Sequence, residues 1–261
     1  MTGIADDTGT WIRRFHRAPE NARSSQGTAG PVRLACFPFA GGAASYYFPV
    51  SKALAPQVEV LSVQYPGRQD RLSEPCAQSV DELAEQVLPR LRPWAGPQLA
   101  LFGHSLGASV AFEVARRLEA EGTPPRALFV SARTAPTRNL DEGVHRLADE
   151  EFLQVVQQLG GLPEEVLANR EVLRMVLPVL RADYRAAETY AYRPGTDVSC
   201  PLHALLGTED PKVAEDEMLD WRLRTSGEFR LHRFSGGHFY LGEHLPEILR
   251  LVTGELGVGQ S

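Results

Sequence analysis

Gly103-His104-Ser105-Leu106-Gly107 places a hydroxyl between two glycines, directly after the apolar run Leu99-Ala100-Leu101-Phe102. It directly precedes a stretch with helical period: Leu106, Val110, Ala111, Val114, Ala115 and Leu118. A G-x-S-x-G pattern by itself is common. Between a buried strand and a helix it reads as a nucleophile elbow, with Ser105 at the apex of a sharp turn. Such a turn forces the serine into a strained backbone conformation. A side chain at 103 or 107 would collide with the neighbouring elements. The hydroxyl then projects at a helix N-terminus, where the dipole favours developing negative charge.

A serine hydroxyl is a weak nucleophile at neutral pH and needs a base, which in turn needs an orienting acid. In the strand–elbow–helix arrangement the chain order is serine, acid, histidine. The run 202–206 leads into Gly207-Thr208-Glu209-Asp210-Pro211 and offers Asp210 as the acid. Glu209 is its neighbouring rival, while Asp216 and Asp220 read as surface charges on a helix. The run 229–234 leads into Ser235-Gly236-Gly237-His238-Phe239, whose glycines let the loop turn and bring His238 back as the base. Among the seven histidines, His244 is the serious rival. His104 reads as structural, His203 and His232 as strand residues, and His16 and His145 fall in irregular segments. The developing oxyanion needs two backbone N–H groups. One belongs to Leu106. The other comes from Cys36-Phe37-Pro38-Phe39-Ala40-Gly41-Gly42, where Pro38 has no N–H, which leaves Phe39 or Ala40, with Phe39 favoured.

The elements that must position these residues follow from the pattern. Strand-length apolar runs fall at 32–37, 58–63, 98–102, 127–131, 202–206 and 229–234, with helical periods between most of them. Unalternated strands separated by helices imply a mainly parallel sheet covered on both faces. The α/β class follows. A helix over 80–91 is expected to break near Pro89. About 70 residues separate the run ending near 131 from that beginning near 202, where a crossover needs about a dozen. That interval reads as helical, around 149–159 and again through Leu173, Val176, Leu177, Leu180, Tyr184 and Ala187, with a kink expected at Pro178. It is well placed to act as a lid.

The 261 residues fit one large domain at 31–261, with a helical lid insertion at about 133–198. Residues 1–30 read as a loosely ordered leader, of which the segment 11–15 could dock on the body. The net charge of −6 gives no footprint for nucleic acid or anionic membrane. No apolar run reaches the roughly 18 residues of a membrane span. Cys36, Cys76 and Cys200 fit neither a disulfide framework nor a zinc site, and Cys36 and Cys200 read as buried small hydrophobes. A cytoplasmic enzyme without metal or cofactor is expected.

Five segments together resemble the type II thioesterases of polyketide and nonribosomal-peptide assembly. They are Phe37-Pro38-Phe39-Ala40-Gly41-Gly42, Gln64-Tyr65-Pro66-Gly67-Arg68, the elbow, Asp183-Tyr184-Arg185-Ala186 and Gly236-Gly237-His238-Phe239. The resemblance spans roughly residues 31–252; Leu106 departs mildly, standing where methionine is frequent. It implies the α/β-hydrolase fold with a mobile helical lid. It also implies Ser105, Asp210 and His238 as triad, and Phe39 and Leu106 as oxyanion donors. The implied activity is hydrolysis of acyl groups from the phosphopantetheine arm of acyl carrier or peptidyl carrier protein domains, clearing stalled or misprimed units. Alternatives are an integrated type I thioesterase domain, a small-molecule serine esterase and a non-catalytic hydrolase-fold binding protein. The starting Met1 and the leader weigh against the first. The intact serine, acid, histidine order weighs against the last.

Overall fold

Six apolar runs form parallel strands in the computed structural model, which describes residues 8–18, 30–138, 141–162, 164–195 and 197–258. They are Val32–Phe37 (β2), Val58–Val63 (β3), Leu99–His104 (β4), Leu128–Ser131 (β5), Leu202–Gly207 (β6) and Phe229–Phe234 (β7). A seventh strand, Ile12–Arg13 (β1), precedes them in the chain and lies antiparallel against β3, Ile12 opposite Val63. The sheet order is β1-β3-β2-β4-β5-β6-β7. β3 to β6 are buried throughout, which explains their lack of alternation. β7 forms the far edge and is mostly half-exposed, which explains its Phe-Arg-Leu-His-Arg-Phe composition.

The first thirty residues therefore contain an edge strand, and the expected boundary at 30 does not coincide with the edge of the sheet. Trp11 and Ile12 are buried. The guanidinium groups of Arg71 and Arg90 stand 4.0 and 5.4 Å from the centroid of the Trp11 indole, within cation–π range. Residues 1–7 and 19–29 of the leader lie outside the described residues.

A single turn at Thr8–Trp11 (α1) leads into β1. Phe48–Leu54 (α2) covers one face of the sheet, and Val80–Leu91 (α3) and Leu106–Ala120 (α4) cover the other. α3 begins at Ser79, whose hydroxyl accepts the Glu82 N–H at 3.1 Å. The expected break at Pro89 does not occur: Pro89 sits in the last turn, and the helix runs on to Leu91. Between β5 and β6 lie Asp149–Gln158 (α5), Glu164–Ala168 (α6) and Arg170–Glu188 (α7). α7 continues on both sides of Pro178. This insertion has its own small core of Val144, Phe152, Val156, Leu162 and Leu180. A short turn at Glu215–Leu219 (α8) follows β6, and Leu245–Glu255 (α9) packs beside α2 through Ile248 and Val252. Cys36 and Cys200 are buried and all three cysteines are free. Among the described residues no helix is long and apolar enough to cross a membrane.

His203 of β6 and His232 of β7 stack with ring centroids 5.3 Å apart, Nδ1 of the first 3.1 Å from Nε2 of the second. Burial pushes both imidazoles down, and the His203 and Arg230 charges help bring His232 to about 4. Glu255 and Glu228 oppose this shift for His203, and Glu255 opposes it for His232. Folded-state values below the unfolded value mean that the unfolded chain binds more protons, so stability is lost as pH falls from about 6.5 towards 4. His232→Gln is expected to flatten that part of a plot of melting temperature against pH. A constant offset from the wild type across the window would contradict this.

Candidate active site

Ser105 is the single residue between β4 and α4, at φ 54° and ψ −120°. This positive φ is a strained conformation for a residue with a side chain. The glycines on either side make it possible. A Cβ at Gly103 would stand 2.1 Å from the Gly107 carbonyl oxygen, and one at Gly107 would stand 2.1 Å from that of Phe37. The second contact also brings the end of β2, and so Pro38 and Phe39, against the elbow. Leu106 opens α4, so its N–H is one of those without an acceptor within the helix.

Ser105 Oγ lies 3.0 Å from His238 Nε2, and His238 Nδ1 lies 2.8 Å from Asp210 Oδ2. Asp210 is enclosed, with no side-chain exposure, and its Oδ1 accepts the Lys212 N–H at 2.8 Å. A carboxylate at Nδ1 holds the proton there, leaving the Nε2 lone pair towards the serine. The loop that delivers His238 packs onto Gly207 at the end of β6, where a Cβ would stand 2.4 Å from the Gly237 carbonyl oxygen. Gly207 is thus a positioning requirement that sequence reasoning passed over.

The rivals are elsewhere. Glu209 Oε1 accepts the Gly236 N–H at 3.4 Å. Asp216 and Asp220 pair with Arg138 at the surface. His244 faces Ser235, His16 faces Ser51 and His145 faces Glu188. His104 is fully buried beneath the base, its ring centroid 5.4 Å from that of His238 and its Nδ1 2.9 Å from Ser131 Oγ. Burial pushes its pKa well below the usual value and the charge of His238 adds to this, opposed by a hydrogen bond with the His238 backbone, so it packs as a neutral wall.

A cavity of about 120 Å³ opens above Ser105. Phe39, Ala132, Val156, Leu159, Tyr184 and Phe239 give it apolar walls, and the insertion supplies three of these. Arg133, Glu142, Glu188, Lys212 and Glu217 line its polar part. Arg133 was not legible in the sequence. Its Nε donates to Ser109 Oγ at 3.0 Å, it donates also to the Ala187 carbonyl, and burial lowers its pKa to about 10. A larger apolar cavity of about 240 Å³ lies between β2, α2 and α9 and contains none of Ser105, Asp210 or His238.

A seven-stranded, mostly parallel sheet flanked by helices, with serine, acid and histidine meeting at the carboxyl ends of β4, β6 and β7, defines an α/β-hydrolase. The family model of the thioesterase domain matches residues 32–256, and the chain belongs to that family. It is 52% identical over 252 residues to Thioesterase PikA5 of Streptomyces venezuelae, covering 96% of this chain and 86% of that protein. It is 45% identical over 245 residues to the probable cadicidin biosynthesis thioesterase of Streptomyces griseus, covering 94% of this chain and 65% of that protein. The structure of the type II thioesterase BorB from the borrelidin biosynthetic cluster matches with a TM-score of 0.86 at 47% identity, over 97% of this chain and 100% of that one. The resemblance to type II thioesterases read from the motifs is borne out, and the chain is a hydrolase acting on thioesters.

Proposed function

We propose that this enzyme releases acyl groups from the phosphopantetheine arm of acyl carrier or peptidyl carrier proteins, clearing stalled or misprimed units during polyketide or nonribosomal-peptide assembly. The observation that carries the reading is the contact of Ser105 Oγ with His238 Nε2 at 3.0 Å, beneath the helical insertion. His238 takes the Ser105 proton as Oγ attacks the thioester carbonyl. The oxyanion accepts hydrogen bonds from the Phe39 and Leu106 amides. The C–S bond breaks, His238 gives its proton to the departing thiolate, and an acyl-serine remains. His238 then takes a proton from water, whose oxygen attacks the ester carbonyl. The acid leaves as the proton returns to Ser105, and Asp210 holds the imidazole tautomer throughout.

The cavity suits a short acyl chain. At about 120 Å³ it is slightly smaller than an apolar cavity of about 150 Å³ that holds a benzene-sized guest. Hydrolysis of acyl-pantetheine thioesters is expected to fall at least about tenfold in kcat/KM, or about 1.4 kcal/mol, from butyryl to decanoyl. Matched oxyesters should be poorer substrates. Equal rates on oxyesters would favour a general esterase, and a preference for decanoyl would contradict the short-chain reading.

A further inference from the structure

Two motifs that take no part in the chemistry meet over the oxyanion loop. Arg68 closes Gln64-Tyr65-Pro66-Gly67-Arg68 after β3, while Asp183 lies on α7 of the insertion. Their side chains join through two hydrogen bonds, Nη1 to Oδ2 at 2.6 Å and Nη2 to Oδ1 at 2.9 Å. Arg68 is 5% exposed and Asp183 1%. Each also grips the same short turn. The Gly41 N–H donates to Asp183 Oδ2 at 2.7 Å, and Arg68 Nη1 donates to the Gly42 carbonyl at 3.1 Å. That turn is closed by the Gly42 N–H on the Phe39 carbonyl at 2.9 Å. α7 also packs directly on it: a Cβ at Gly41, which has φ +77°, would stand 2.5 Å from Leu180 Cδ2.

A buried ion pair is a poor stabiliser, because desolvating two charges offsets most of their attraction. A bidentate guanidinium–carboxylate pair does fix distance and angle. Here that geometry is transmitted to the residues immediately after Phe39. We infer that Arg68 and Asp183 are positioning residues that hold the Phe39 amide in the oxyanion hole and make the hole depend on α7 being seated. The inference rests on the proposed role of Phe39. It gives the insertion a second task beyond walling the cavity. With α7 lifted, the Gly41 N–H loses its acceptor, Arg68 loses the carboxylate that fixes its guanidinium on the Gly42 carbonyl, and the turn is free to rotate the donor away.

The test is Asp183→Asn in the full chain. Asparagine keeps the size and an acceptor for Gly41 but loses the charge facing Arg68. Fluorophosphonate labelling taken to its endpoint counts functional sites, so kcat is expressed per labelled site. Removing one oxyanion donor costs about 10²–10³-fold, so a displaced donor is expected to cost about 10–100-fold in kcat, with KM within about threefold. The rate of fluorophosphonate labelling should fall in parallel, because the phosphoryl oxygen uses the same amides. The pH dependence should keep its shape, because His238 and Asp210 are untouched. Arg68→Lys should not restore the geometry, and adding it to Asp183→Asn should cost little more than the worse single change. A kcat per labelled site within about threefold of wild type, or a loss confined to KM or melting temperature, would overturn the inference. Where Asp183→Asn does not fold, Arg68→Lys decides by the same readouts. Ser105→Ala separates the two levels. If it stays active, the proposed mechanism fails; if it is inactive while Asp183→Asn is normal, only the clamp fails.

Discussion

Ser105→Ala is expected to lower kcat for acyl-pantetheine hydrolysis by about 10⁴–10⁶-fold, or about 5–8 kcal/mol of transition-state stabilisation. His238→Ala is expected to match it. The reason lies in the contact between Oγ and Nε2 at 3.0 Å. Without the hydroxyl there is no acyl-enzyme, and without the imidazole the hydroxyl keeps its proton at neutral pH. Because the two act as one unit, the double variant should be little worse than either single one. On the proposed mechanism the residual rate belongs to the Leu106 and Phe39 amides, which neither substitution touches. Ser105→Ala should keep the wild-type melting profile within a few degrees, since Ser105 is only partly buried. Turnover and fluorophosphonate labelling measured side by side decide the matter. Near-normal turnover by Ser105→Ala would remove it from the chemistry.

The parts of this arrangement that could be read from the sequence are those with a local signature. Buried parallel strands show themselves as unbroken apolar runs, and α4 shows itself by its stripe. Gly103 and Gly107 are visible because close approach at both points excludes any side chain. The serine, acid and histidine could be placed because each follows a legible strand. What escaped has no local signature. β1 is two residues long, too short for any period, and is anchored by Arg71 and Arg90 around Trp11, residues distant in sequence. Pro89 suggested a break, yet α3 runs through it to Leu91, and α7 likewise continues on both sides of Pro178, because packing of an amphipathic face outweighs the loss of one backbone hydrogen bond. Arg68 and Asp183 were visible as motif members, but their pairing across 115 positions was not. Arg133 carried no signal beyond its place after β5.

The distinction between Asp210 and Glu209, adjacent in sequence and both acidic, yields the second large effect. Asp210→Asn is expected to lower kcat by about 10⁴-fold, or about 5 kcal/mol, with KM little changed. The geometry gives the reason. Asp210 Oδ1 accepts the Lys212 N–H at 2.8 Å while Oδ2 faces His238 Nδ1 at 2.8 Å. Asparagine in that site keeps its one acceptor for the Lys212 amide, which turns its NH₂ group towards the ring. Nδ1 must then accept rather than donate, and the imidazole proton moves to Nε2. The nitrogen facing Ser105 would carry a hydrogen and could not take one. Glu209→Gln should change kcat by no more than a few-fold, because its carboxylate meets the Gly236 amide at 3.4 Å and not the imidazole. Steady-state kinetics of the two variants on one acyl-pantetheine thioester make the comparison. A large loss with Glu209→Gln and a small one with Asp210→Asn would transfer the role of orienting acid to Glu209. Equal losses would mean that the loop acts through its shape rather than through one carboxylate.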